Sequence, residues 1–137
     1  GAIRHVFVNY LEPGQKALVP DWFWGNYRTI AEEHMRSIET FTMFDEENKF
    51  NIPSLKEKAT QLLAAQDNLV IVFNSPAHNP TGHSLTEKEW TILIMPENLR
   101  RQGTFSGFLV GFQKICFWPL PTVCPSLFLF TVCVPEH

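Results

Sequence analysis

The stretch LVIVFNSPAHNPTG, residues 69–82, decides the fold class of this chain. Its first five residues, LVIVF, are continuously apolar, and a strand without polar alternation suits burial on both faces, as in a parallel sheet. Ligands of open α/β sheets bind outside the carboxyl ends of the strands. We therefore expect a binding site in the loop that follows, residues 74–84.

Helical and strand patterns alternate around this strand. Four segments have apolar residues at helical spacing: 2–11, 27–35, 53–66 and 87–94. Two further runs are apolar or β-branched and predict strands: 17–19 and 37–44. Thr86 and Glu89 form a T-x-x-E pattern, which predicts a capping box before the last helix. The alternation predicts an α/β fold with a mainly parallel sheet flanked by helices.

The composition divides the chain into two parts. The net charge of −3 and the pI near 5.9 argue against a nucleic-acid-binding protein, which would present a basic face. Residues 104–137 contain all three cysteines and half of the twelve phenylalanines, but only Lys114 and Glu136 among Asp, Glu, Lys and Arg. We predict a domain over residues 1–103, followed by an irregular apolar tail.

The cysteines and the first residues bear on metal binding and location. None of the three cysteines lies in a C-x-x-C pattern or has histidine at zinc-ligand spacing, so we predict neither a disulfide framework nor a metal site. No basic stretch followed by an apolar one is visible at the start, and we expect a cytoplasmic protein. Because the chain begins at Gly1 rather than methionine, we expect its native start to lie upstream.

Residues 71–90, IVFNSPAHNPTGHSLTEKEW, resemble the N-P-T-G segment of class I/II aminotransferases, which are fold-type I enzymes dependent on pyridoxal 5′-phosphate. Residues 17–33, ALVPDWFWGNYRTIAEE, resemble the strand and aromatic loop of the same family, with its Trp-Gly-Asn at residues 24–26. Residues 1–3 are similar to the end of the family's glycine-rich turn. The resemblance extends to about residue 90 and implies a fragment of the large cofactor-binding domain.

The resemblance implies roles for four residues, and their chemistry suits those roles. Asn79 would donate its side-chain amide to the phenolic oxygen of the cofactor ring. Trp24 would stack its indole on the ring. Gly1 and Ala2 would hold the phosphate at a helix N-terminus. Pro80 would shape the loop, with its peptide bond either cis or trans.

Other interpretations of these residues remain open. Trp24 could be a core residue, and Trp22 or Phe23 could be the stacking aromatic instead. The N-P-T-G sequence by itself is also compatible with an ordinary turn. We expect His78, beside the motif, to lie behind the site or at the surface rather than to act in catalysis.

The resemblance also implies groups that this sequence does not supply. A transaminase needs a Schiff-base lysine, a carboxylate facing the pyridine nitrogen and an arginine that binds the substrate carboxylate. In the family these follow the N-P-T-G loop, but beyond Trp90 the sequence leaves the family pattern. The surroundings of Lys114, GFQKICFW, do not resemble the family's lysine segment. We therefore assign no catalytic residue.

The function implied is that of an aminotransferase fragment, inactive alone, from an enzyme that moves an amino group between an amino acid and a 2-oxo acid. Two alternatives are a fragment of a pyridoxal-phosphate-dependent lyase of the same fold and a non-catalytic truncated product. The family's usual state is a homodimer. The tail is explained either by a departure of reading frame or splicing near residues 95–103 or by a membrane element over residues 115–134, which internal prolines disfavour.

Overall fold

The structure is a computed structural model that describes residues 1–94, 106–111 and 128–133 of the 137-residue chain. The helices are α1 (Ala2–Tyr10), α2 (Asn26–Glu32), α3 (Ile52–Ala65) and α4 (Glu87–Ile94). The strands are β1 (Lys16–Pro20), β2 (Ser37–Phe41), β3 (Asn68–Phe73), β4 (Ser106–Gly111) and β5 (Phe128–Cys133).

The first three strands form a parallel sheet, as predicted. The strand order is β2-β1-β3-β5-β4. β1 pairs with β2 along its whole length and with β3 through Ala17 opposite Val70 and Leu18 opposite Ile71. Helix α2 connects β1 to β2, and α3 connects β2 to β3, because parallel strands require a crossover connection.

The predicted irregular tail contains two regular strands. β5 pairs antiparallel with all six residues of β3, and β4 pairs antiparallel with β5. Their sequences, SGFLVG and FLFTVC, contain the aromatic and β-branched residues that favour strands. The predicted boundary between residues 103 and 104 falls outside the described residues, as does most of segment 115–134. Within the described ranges, no helix combines the length and apolar character needed to cross a bilayer.

The strand LVIVF is buried on both faces, which confirms the prediction made from its composition. Leu69, Ile71 and Phe73 belong to a core cluster on the α3 side of the sheet, together with residues of that helix. Val70 and Val72 belong to a second cluster on the side of α1 and α2. The sheet is therefore the middle of three layers, with apolar contacts on each side.

Side chains stabilise one end each of α1, α3 and α4. The predicted capping box is present: the N–H of Thr86 donates to Glu89 Oε2 at 2.7 Å, and the N–H of Glu89 donates to Thr86 Oγ1 at 3.3 Å. Asn51 caps α3 by accepting the N–H of Ser54 at 3.0 Å. At the C-terminal end of α1, the carbonyls of residues 8 and 11 accept from the guanidinium group of Arg36.

Candidate functional site

Two of the four residues predicted to bind the cofactor follow strands that end at the carboxyl edge of the parallel sheet. Trp24 follows β1 and Asn79 follows β3, and these strands are parallel neighbours. The C-terminal end of α1 is bonded to Arg36, which immediately precedes β2, so that end lies at the amino edge. The opposite end of α1, with Gly1 and Ala2, therefore points toward the carboxyl edge.

Trp24 is a partly exposed side chain braced by a core residue. Its indole is 43% exposed and meets the ring of Tyr27 edge to face, with 5.8 Å between ring centroids. Tyr27 is buried, and desolvation raises its pKa to about 12, so its phenol stays neutral. The alternative that Trp24 is a core residue does not fit this exposure.

Phe23 and Trp22, the two aromatic residues beside Trp24, differ in their contacts. Phe23 stacks on Tyr27 at 6.4 Å, and the guanidinium carbon of Arg28 lies 5.7 Å from the centre of the Phe23 ring. Phe23 is thus engaged within the protein. Trp22 is 56% exposed and stays the alternative to Trp24 as a stacking partner.

Asp21 anchors this aromatic loop and was not among the predicted residues. Its carboxylate Oδ1 accepts the N–H of Trp22 at 3.1 Å and the N–H of Met43 at 2.9 Å, and its own N–H donates to the carbonyl of Phe41 at 2.8 Å. The contacts fasten the loop after β1 to the chain after β2. The sequence feature that could have indicated this role is an aspartate directly after a predicted buried strand.

Asn79 lies at the exposed tip of the loop after β3. Its side-chain amide makes no hydrogen bond with any residue in the described part of the chain, and so it is free to donate to another molecule. The peptide bond between Asn79 and Pro80 is cis, which answers the question left open by the sequence. Gly82 supports the turn with a φ of 73°, a value that side-chain-bearing residues seldom adopt.

His78 is buried beneath the loop rather than placed at the surface. Its side chain is 2% exposed, stacks on Phe73 with ring centroids 4.9 Å apart, and lies 2.9 Å from the hydroxyl of Thr81 through Nδ1. Burial, and then the nearby His83, lower the pKa of His78 to about 4. The imidazole is therefore neutral at physiological pH.

Two buried polar atoms in this loop lack a hydrogen-bond partner: Oδ1 of Asn74 and Nε2 of His83. Buried polar atoms are nearly always paired, and Nε2 of His83 lies 4.0 Å from the carboxylate Oε2 of Glu89. Asn74 directly follows β3 and was not predicted as a site residue.

Among the described residues, no group of three or more His, Cys, Asp or Glu side chains is arranged to hold a metal ion.

The donors at this edge suit a phosphorylated aromatic ring. Asn79 offers a free neutral donor, and Trp24 offers a partly exposed aromatic surface. Gly1 makes no side-chain capping bond to α1, and so the first N–H groups of this helix are available to an anion. Together these groups fit pyridoxal 5′-phosphate, which carries an aromatic ring, an anionic ring oxygen and a phosphate.

A separate cavity of about 320 Å³ lies at the opposite edge of the sheet. Its charged groups are paired with one another: Lys16 and Lys58 approach Glu39 at 3.1 and 3.3 Å. It contains none of the residues predicted to bind the cofactor. We therefore place the candidate site at the carboxyl edge.

Residues 1–100 match the family described as aminotransferase class I and II, ten residues beyond the resemblance seen in the sequence. The cytoplasmic aspartate aminotransferase of Caenorhabditis elegans is 26% identical over 91 residues, which cover 66% of this chain and 21% of that protein. The histidinol-phosphate aminotransferase of Haloquadratum walsbyi is 28% identical over 93 residues, 68% of this chain and 23% of that protein.

A solved structure is also similar. The crystal structure of an aminotransferase from Anaerococcus prevotii superposes with a TM-score of 0.69 at 36% sequence identity, over 74% of this chain and 24% of that one. This chain thus spans about a fifth to a quarter of the length of each of these proteins.

Proposed function

Because the chain belongs to the class I and II aminotransferase family, we propose that its carboxyl edge forms part of the binding site for pyridoxal 5′-phosphate. The chain is a fragment of an aminotransferase. The observation that supports the site most directly is the placement of Trp24 and Asn79 after two adjacent parallel strands, with the indole partly exposed and the amide unbonded.

The four residues make three kinds of contact with the cofactor in this proposal. The amide of Asn79 donates to the phenolic oxygen of the ring and holds that oxygen in its anionic form. The indole of Trp24 stacks on the ring and fixes its plane. The N–H groups at Gly1 and Ala2 bind the phosphate, with help from the helix dipole. When bound, the cofactor supplies an electron sink for the carbon of the amino acid that loses its proton.

We assign none of this chain's lysines the covalent role in transamination. Lys114 lies outside the described residues, and its sequence surroundings do not follow the family pattern. Residues 1–103 form the cofactor-binding part in this proposal, and residues 104–137 form an apolar segment whose strands β4 and β5 extend the same sheet. On this basis the chain binds the cofactor without covalent attachment.

The activity of the whole enzyme is proposed as amino transfer between an amino acid and a 2-oxo acid. The similar proteins include an aspartate aminotransferase and a histidinol-phosphate aminotransferase, so the proposal extends to the class of amino acids and not to one member of it. Neither of these names is that of a lyase. A homodimer is proposed for the full-length enzyme. A cytoplasmic location is proposed from the nematode relative, whereas two other similar aspartate aminotransferases are mitochondrial.

Titration with pyridoxamine 5′-phosphate tests the cofactor site, because this amine form does not bond covalently to a lysine. Tryptophan fluorescence and calorimetry would be measured on the 137-residue chain and on three variants. We expect Trp24→Phe to remove most of the quenching, and Trp22→Phe, the matched control, to retain it. We expect Asn79→Ala to weaken binding about 10- to 100-fold, the range for losing a hydrogen bond to a charged oxygen.

The outcomes separate the proposal from its alternatives. Quenching that disappears in Trp22→Phe but persists in Trp24→Phe would assign the stacking role to Trp22. Absence of saturable binding to the unmodified chain would contradict the cofactor site. Equal affinity of Asn79→Ala and the unmodified chain for pyridoxamine 5′-phosphate would show that Asn79 does not contribute to the cofactor site.

A further inference from the structure

The loop between β3 and α4 is closed by hydrogen bonds between its two arms. The N–H of Ala77 donates to Ser84 Oγ at 3.0 Å, and the N–H of Leu85 donates to Ser75 Oγ at 3.3 Å. The N–H of His78 donates to the carbonyl of residue 83 at 2.8 Å. The tip, residues 79–82, is therefore held between two arms that are tied together near their bases.

Within the tip, the hydroxyl of Thr81 connects two groups. It accepts the N–H of His83 at 3.2 Å and lies 2.9 Å from Nδ1 of His78. The hydroxyl can donate to Nδ1 or accept from it, so this contact joins the loop tip to the His78 ring in either tautomer. The depressed pKa of His78 agrees with a neutral ring.

The His78 ring links this contact to the core. It stacks on Phe73, the last residue of β3, which is fully buried. The chain of contacts thus runs from the sheet through an aromatic ring to the hydroxyl of Thr81. The two connected residues lie immediately on either side of Asn79 and Pro80.

We propose that Thr81 and His78 are positioning residues that fix the direction of the Asn79 amide, an inference that rests on the proposed function. Asn79 is exposed, and its amide makes no hydrogen bond with the described residues, so its own contacts do not orient it. Its backbone is oriented by the flanking pair. A donor that must meet one ring oxygen benefits from such pre-organisation, because less freedom is lost on binding.

The test removes the hydroxyl without changing the shape of the side chain. Thr81→Val in the 137-residue chain lacks the hydroxyl, and Thr81→Ser restores it. Thr60→Val is the matched control, because Thr60 lies on the exposed side of α3 and its hydroxyl donates to the Lys56 carbonyl. We expect Thr81→Val to bind pyridoxamine 5′-phosphate about fivefold more weakly, the effect of one neutral hydrogen bond, and the other two variants to bind like the unmodified chain.

A second measurement needs no ligand. In ¹⁵N NMR spectra we expect Thr81→Val to shift the Nδ1 resonance of His78 and the side-chain amide resonance of Asn79, whereas Thr60→Val moves neither. A result in which both resonances stay in place, or in which Thr81→Val keeps full affinity, would overturn the positioning role. If Thr81→Val does not fold, Thr81→Ala carries the same expectations.

The two measurements also separate this inference from the proposed function. Failure of the unmodified chain to bind pyridoxamine 5′-phosphate would refute the cofactor site, whatever the NMR spectra show. The shifts of His78 and Asn79 in the ligand-free chain would still decide whether Thr81 orients the loop tip.

Discussion

The imidazole of His78 lies in surroundings that favour its neutral form. Its pKa falls from 6.5 to about 4, first because burial disfavours the charged ring and second because His83 is near. The unfolded chain therefore binds a proton at this position near pH 6.5, which the folded chain does not bind until about pH 4. The contribution of the neutral ring to stability is complete above pH 6.5 and is lost as the pH falls toward 4.

We predict that the free energy of unfolding decreases by on the order of 1–3 kcal/mol between pH 7 and pH 4 on account of this group. Urea unfolding at a series of pH values would measure it. His78→Phe keeps an aromatic ring against Phe73 and should show a shallower pH dependence. The same slope in both proteins would show that His78 is not the responsible group.

For individual residues, the sequence predicted which side chains suit the cofactor better than it predicted which residues contact one another. Asn79 and Trp24 could be chosen from a family resemblance, and both lie at the predicted edge of the sheet. The burial of His78 and the anchoring by Asp21 could not be predicted, because both depend on partners distant along the chain or on how the loop packs. The carboxylate of Asp21 accepts the N–H of Met43, and α2 and β2 lie between these two residues in the sequence.

Glu39 connects three secondary-structure elements at the amino edge. It lies on β2 and pairs with Lys16 of β1 and Lys58 of α3. The hydrogen bond from Lys16 is the main cause that lowers its pKa. Because its folded-state pKa is lowered, the carboxylate stabilises the fold at neutral pH and loses this contribution as the pH falls through that pKa.

We predict that Glu39→Gln lowers the free energy of unfolding by about 0.5–1 kcal/mol at low salt and by less in 1 M salt, because partly exposed ion pairs are screened. Denaturant unfolding at both salt concentrations would measure the difference. Glu57→Gln on α3 is the control, since Glu57 bonds to Gln61 and makes no ion pair within the described ranges. An equal loss in both variants would exclude the ion pairs as the cause.

Elements were predicted best where several local signals agreed. The start of α4 had both a capping pattern and helical spacing, and the capping box is present. The end of β2 was predicted too late: the strand stops at Phe41, and Phe44 instead forms an isolated bridge with Phe50. Alternating apolar residues continue past Phe41, but the loop from residue 45 folds back on itself, and local sequence does not encode that reversal.

The sheet as a whole depends on its C-terminal strands. β5 pairs with every residue of β3, so removing it would leave a buried apolar strand with an unpaired edge. Such an edge is a template for pairing with other chains. The alternation of helices and strands predicted the parallel part of the sheet. The composition of the apolar tail, in contrast, did not indicate which strand it pairs with or whether the pairing is parallel or antiparallel.

We predict that a chain ending at Gly103 self-associates and loses protection at alternate amides of β3. In a strand, alternate N–H groups point to opposite neighbours, so only those directed toward β5 lose their partners. Sedimentation velocity and hydrogen exchange at low protein concentration would measure both effects. A monomeric truncated chain with unchanged exchange would show that β5 is dispensable for the fold.

The separation of β3 from β5 along the chain has a consequence during protein synthesis. About 55 residues separate Phe73 from Phe128, which are partners in the sheet. At roughly 5–20 residues per second, the ribosome needs on the order of 3–10 s to supply the second strand after the first. During that interval the edge of β3 that pairs with β5 lacks its partner, which makes the nascent chain a substrate for chaperones that bind emerging polypeptides.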